Sequence, residues 1–220
     1  MNTKRILEIT GVISIVGSFL YLLIVLLLGL VQPGYNHMID TMSVLVLGQW
    51  GWVQNVNFFI LAITVASFGI GLSVALKKKI FSLISLIFFA LALSIIVIMV
   101  LPADAVDRTQ VQLTALNSFH GFIHFMTTMI IVGLTIPLII TITRQMQKST
   151  QFRHFTRYTL LSFTINIIAG ILWFIFRRYG ILFAWKGIWQ KLMAVNVLAW
   201  MMVIGNQFLA ESNKYARRTH

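Results

Sequence analysis

ITGVISIVGSFLYLLIVLLLGLV, the run from Ile9 to Val31, carries no charged side chain and is preceded by Lys4 and Arg5. A helix crosses a hydrocarbon core of about 30 Å with roughly 20 apolar residues, so this run is long enough to span a bilayer. It is too long for the apolar part of a secretory leader, and no small-x-small cleavage signal follows it. It reads as an uncleaved first transmembrane helix. Five further uncharged runs meet the same criterion: Asn55–Leu76, Ile80–Leu101, Ser118–Thr143, Tyr158–Phe176 and Leu192–Ala210. Lipid offers no hydrogen bonds to the backbone, so each run is expected to be helical, with Pro137 kinking the fourth. The expected architecture is all-α: one transmembrane domain over residues 1–220, built as a bundle of six helices.

Composition agrees. Hydrophobic residues make up 59% of the chain and charged residues 10%, whereas soluble domains carry about 25% charged residues. So few charges cannot cover a surface that faces water. The chain has no cysteine, which excludes disulfides, thiol nucleophiles and cysteine-ligated metals.

The basic residues set an orientation. With the N-terminus inside, Lys4, Arg5, Lys77, Lys78, Lys79, Arg144, Lys148, Arg153, Arg157, Lys214, Arg217 and Arg218 fall on the inner side, twelve of the seventeen. Arg108, Arg177, Arg178, Lys186 and Lys191 fall outside. The positive-inside rule therefore predicts both termini in the cytoplasm of a plasma-membrane protein. The basic inner face predicts attraction to anionic lipid headgroups. These charges are scattered over short loops without a recognition motif, which argues against nucleic acid. Trp50, Trp52, Trp173, Trp185 and Trp189 gather at the outer end as an aromatic belt.

The first outer loop, Gln32 to Gln54, holds no lysine or arginine. It opens with a Pro33-Gly34-Tyr35 turn signal. Asp40 is placed to cap a short helix beginning at Thr41. That helix is too short to span and too apolar for water, so it is expected to lie in the interface or fold back over the bundle.

Leu101-Pro102-Ala103-Asp104 ends the third run, and Ser118-Phe119-His120-Gly121-Phe122-Ile123-His124 opens the fourth. Residues four apart on a helix share a face, about one turn apart. His120, His124 and Asp104 can thus form a three-ligand metal site with an open position. Zinc held there lowers the pKa of bound water toward about 7. His37 and Asp40 would serve as a general base or further ligand. The competing reading is structural: Asp104 bonds the free amides of a helix start, and water or headgroups satisfy the histidines. Asn57, Asn166 and Asn196 suit hydrogen bonds between membrane helices, and Gly17, Ser18, Ala62, Ala66, Gly69 and Gly71 suit close helix packing.

Several elements recur in one order: Pro33-Gly34-Tyr35, Asp40-Thr41-Met42-Ser43, Asn57 near the start of the second helix, Leu101-Pro102-Ala103-Asp104, and His120 opening the fourth. In this order the chain resembles, over nearly its whole length, the bacterial and archaeal membrane family called domain of unknown function 998. The resemblance also covers Gly187-Ile188-Trp189-Gln190-Lys191, where the family tends to have Gly-Leu-x-Glu-Arg, so Gln190 departs from its pattern. It implies six helices and supplies no mechanism. A looser likeness is to membrane hydrolases of the alkaline-ceramidase type.

Two functions follow from these residues. One is a metal-dependent hydrolase of a lipid or amphiphile, with His120, His124 and Asp104 on zinc and Asp40 or His37 as base. The other is a non-enzymatic sensor, carrier or accessory protein that binds a small ligand or partner at the outer helix ends.

Overall fold

The computed structural model describes residues 2–104, 118–180 and 183–217. Among these, six helices are long and apolar enough to cross a membrane, and no strand forms. They are α1 (Thr3–Val31), α2 (Gly51–Ala75), α3 (Leu83–Val100), α4 (Phe119–Lys148), α5 (Thr156–Tyr179) and α6 (Lys186–Arg217). Most run past the apolar cores at one or both ends, because polar flanks continue a helix once it is nucleated. Helix α4 passes unbroken through Pro137.

Local chemistry sets the ends. The Asn2 side chain accepts from the Lys4 amide and caps α1. Ser82 and Ser85 form a reciprocal capping box at the start of α3. Between α2 and α3 the chain reverses within Lys77–Lys79, with Lys77 in the left-handed region at φ 56°. Its amide closes on the Val74 carbonyl at 2.9 Å.

Each helix packs on its neighbours in the chain, and α6 returns to pack extensively on α1, so the six form a closed ring. Contacts between α2 and α6 draw the ring together on one side. Small residues permit these approaches. A Cβ on Gly11 would sit 2.9 Å from the Gly205 carbonyl oxygen, and one on Gly17 would overlap the Thr64 side chain. Close backbone approach supplies the van der Waals contact that holds helices together in lipid.

Phe68, Trp200, Phe163, Phe208 and Phe152 stack into an aromatic core, with ring centroids 4.9–6.3 Å apart. Trp200, the one tryptophan outside the expected belt, has 0% exposure. Helix α2 is the most enclosed, with 61% of its most apolar window buried against 17% for α5. A polar side chain on α2 is therefore held inside protein, whereas α4 and α5 present broad apolar faces outward.

The termini and the α2–α3 and α4–α5 connections share one end of the bundle, here the termini end. The α1–α2, α3–α4 and α5–α6 connections share the other.

Candidate functional site

At this second end the α1–α2 connection is a folded cap. The Gln32 amide N–H extends α1 by bonding Leu28 at 2.9 Å. Its side chain fills the space above Gly48 and accepts from the Trp50 amide at 3.3 Å. Gly34 takes φ 75°, the backbone angle that lets the chain turn at Pro33-Gly34. Asp40 Oδ2 then accepts from the Asn36 amide at 2.7 Å, and the Asp40 amide returns a bond to the Asn36 carbonyl at 2.7 Å. This corrects the expectation for Asp40. It closes the preceding turn, and the short 3-10 helix Met42–Leu47 has no side-chain cap at Thr41. That helix, the lid, packs on α1, α2 and α6 and plugs the ring with Leu45, which has 0% exposure.

Helix α6 holds the lid down. Its first-turn amides, unpaired in any helix, donate from Gly187 and Ile188 to the Met38 carbonyl at 2.8 and 3.1 Å. A Cβ on Gly187 would lie 2.3 Å from the Asp40 carbonyl oxygen, so only glycine lets the loop backbone rest there. The Lys191 ammonium donates to the carbonyls of His37 (3.0 Å), Asp40 (2.8 Å) and Gly187 (3.3 Å). It also lies 5.1 Å from the centre of the Tyr35 ring, a cation–π contact. Gln190 accepts from the Met42 amide at 2.9 Å. The departure from the family pattern at Gln190 is thus a neutral acceptor for the lid's first amide.

His37 sits in a notch on α1, where a Cβ on Gly29 would come within 2.3 Å of the imidazole. Its ring meets Tyr35 edge-on at 5.2 Å. Burial, and then the Lys191 charge, hold the imidazole below its ordinary pKa range. Burial, and then the Asp40 charge, push the Tyr35 phenol up. The Lys191 ammonium opposes protonation of this ring and the Leu26 backbone carbonyl favours it, while the Tyr35 ring and Gly29 add no charge. The closed loop therefore binds fewer protons at His37 than an open one. The His37 contribution to closure is at full strength above the ordinary imidazole pKa and weakens as pH falls below it. Amide hydrogen exchange over residues 36–47, corrected for its intrinsic pH dependence, should quicken below about pH 6.5 relative to a His37→Gln variant. A ratio that stays flat to about pH 5 would dismiss the effect.

Under the lid, α1 and α2 share a buried polar cluster. The Tyr21 hydroxyl lies 3.7 Å from the Met42 sulfur. Asn57 Nδ2 donates to the Tyr21 carbonyl at 3.2 Å and to Gln54 Oε1 at 3.3 Å. Gln54, Asn57 and Ser18 each have 0% exposure. Yet Asn57 Oδ1 and Ser18 Oγ have no hydrogen-bond partner, and Gln54 Nε2 has only the Tyr21 hydroxyl beside it, outside hydrogen-bond geometry. Native proteins leave few buried polar atoms unpaired, and each costs about 1–3 kcal/mol.

The expected metal ligands lie at the α3–α4 junction. Asp104 Oδ2 accepts from the Ser118 amide at 3.0 Å, and Oδ1 bonds the Ser118 hydroxyl. That hydroxyl accepts in turn from the Gly121 amide at 3.0 Å. Asp104 and Ser118 together cap α4, the role of the structural reading. His124 is buried and donates from Nδ1 to the Leu101 carbonyl at 3.0 Å, while His120 is exposed. Among the described residues, no three histidine, aspartate or glutamate side chains gather closely enough to hold a metal ion. His37 and Asp40 are tied to α1 and α6 instead. Asp107 lies outside the described residues.

The sequence marks His37, Asp40, Asn57 and, as a departure from the family pattern, Gln190, whereas nothing in it marks Tyr21, Gln54 or Lys191 as parts of this site beyond the spacing of Gln54 and Asn57, polar and three apart at the start of an apolar helix.

Six apolar helices closed into a ring, with one end capped by a folded loop over buried polar groups, define a multi-pass integral membrane protein. The chain belongs to the family described as Protein of unknown function (DUF998), whose match spans residues 15–206. No curated protein and no solved structure matches it.

Proposed function

We propose that this protein is a membrane sensor or carrier that binds a small ligand beneath the lid, at the outer face of the plasma membrane. The observation that carries the reading is the unpaired donor on Gln54 and the unpaired acceptor on Asn57, both fully buried beneath the folded cap. Each amide keeps one end bonded within the bundle and leaves the other open, and a partner supplied from outside would complete both. The surplus of basic residues at the termini end supports placing that end in the cytoplasm, against anionic headgroups.

Gln54→Met keeps the side chain's length and removes the open donor together with one of two acceptors of Asn57 Nδ2, which keeps the Tyr21 carbonyl. If the amide is kept for a ligand, the ligand-free variant is more stable than the wild type by about 1 kcal/mol, a rise of a few degrees in thermal midpoint. A fall of similar size would assign Gln54 to folding and sink the reading.

The metal-dependent hydrolase of lipids or amphiphiles is the second reading. In its favour, the bond from His124 to the Leu101 carbonyl is of the kind that orients metal-ligating histidines. The separated donors give no geometry for a reaction step. Near-stoichiometric zinc in purified protein, lost in a folded His120→Ala/His124→Ala variant, would make this reading the leading one. Zinc-free protein after reloading would remove it.

A further inference from the structure

Resting on the ligand-binding reading above, we propose that the ligand is uncharged and presents a hydrogen-bond donor and acceptor side by side, as a primary carboxamide or a urea does. The orientation of the two buried amides specifies this. Asn57 Nδ2 is fixed by the Tyr21 carbonyl, which can only accept. The other end of that amide, Oδ1, is therefore an acceptor that lacks a donor. Asn57 Nδ2 also reaches Gln54 Oε1, which leaves Gln54 Nε2 as a donor that lacks an acceptor. The two residues are three apart on α2 and share a face. They offer one acceptor and one donor together, and a carboxamide offers the complement: its NH2 to Asn57 and its carbonyl to Gln54.

Charge selects in the same direction. The side chains that the structure joins here, Tyr21, Gln54 and Asn57, are all uncharged. The Lys191 ammonium is bonded to loop carbonyls and the Asp40 carboxylate to the Asn36 amide. An ionic ligand would be stripped of water with no counter-charge to meet it, a far larger cost than a neutral ligand meets. Met42 stands beside the Tyr21 hydroxyl. Its thioether is a weak acceptor, readily displaced by a carbonyl or amide, so the ligand enters as the lid lifts.

The full-length protein in detergent can be titrated with benzamide, benzoate and benzylammonium, three probes of one shape and different charge, with the thermal midpoint as readout. Each titration is repeated in Lys191→Met, where the lid is loosened, and in Gln54→Met and Asn57→Leu. The expected result is a saturable rise with benzamide alone, reached at a concentration at least about tenfold lower in Lys191→Met, and absent in Gln54→Met and Asn57→Leu. If Asn57→Leu does not fold, Gln54→Met decides alone. A rise with benzoate or benzylammonium that matches benzamide and disappears in Gln54→Met would overturn the neutral class and leave the site standing. No rise with any probe in wild type and in Lys191→Met would overturn both, as would a benzamide response that survives in the amide variants.

Discussion

Replacing Lys191 with methionine releases the lid. The ammonium holds three backbone carbonyls, two from the loop and one from α6. Hydrogen bonds to a charged group contribute about 1.5–3 kcal/mol each. Methionine keeps most of the apolar stem and supplies none of them, leaving the His37 and Asp40 carbonyls short of a partner. A net loss of about 3 kcal/mol in closure corresponds to roughly a hundredfold rise in the open population. The chain has no cysteine of its own, so a Leu45→Cys reporter is unambiguous. With Lys191 in place the reporter, on the underside of the lid itself, is buried against the ring. With Lys191→Met it should react about 100 times faster with a membrane-impermeant maleimide. In intact cells the same label tests the orientation, with Lys78→Cys protected until lysis. Unchanged labelling in Lys191→Met would mean that the α6 amides and Gln190 suffice to hold the loop.

Trp200→Ala should be the most damaging single change in the core. The indole is fully enclosed, lies 4.9 Å centroid-to-centroid from both Phe68 and Phe163, and donates to Thr159 Oγ1 at 2.9 Å. Removing a buried aromatic leaves a cavity that costs about 3–5 kcal/mol. In a bilayer this is a packing loss, since lipid is as apolar as the core. Thr159 would also lose its donor. Trp52→Ala is the control, because that side chain is 63% exposed. Thermal unfolding in detergent should show a midpoint lower by about ten degrees or more for Trp200→Ala and little change for Trp52→Ala. Equal effects would refute the assignment of Trp200 as the keystone of the bundle.

The helices were legible because hydrocarbon imposes one rule on every span: enough apolar residues and no unpaired backbone. Gly17 and Gly71 were legible as packing positions for a related reason, since small residues at helix contacts carry the association in lipid. The cap was harder to read. A turn at Pro33-Gly34 and a short apolar segment after Asp40 can be anticipated locally. Which helix holds that segment depends on α6, some 150 residues away in the chain. Lys191 therefore counts as one more basic residue until the fold shows its ammonium on the loop carbonyls. Asp104 illustrates the opposite difficulty. Its proximity to His120 and His124 along the sequence suggested a ligand set, while the backbone geometry turns its carboxylate onto the start of α4. The cluster of Tyr21, Gln54 and Asn57 was legible only in part, because amides at a helix start are usually ordinary interhelical bonds.

The closure of the ring by α6 against α1 also fixes an order of assembly. A chain is made from its N-terminus, so α1, the loop and α2 exist before the helix that seats them. Until α6 arrives, the Gly11 face of α1 has only lipid beside it, and the Met38, His37 and Asp40 carbonyls have none of their α6 donors. The sixth helix is thus both the wall that completes the bundle and the fastener for a loop made before it. A chain that lacks α6 therefore presents an unlatched cap.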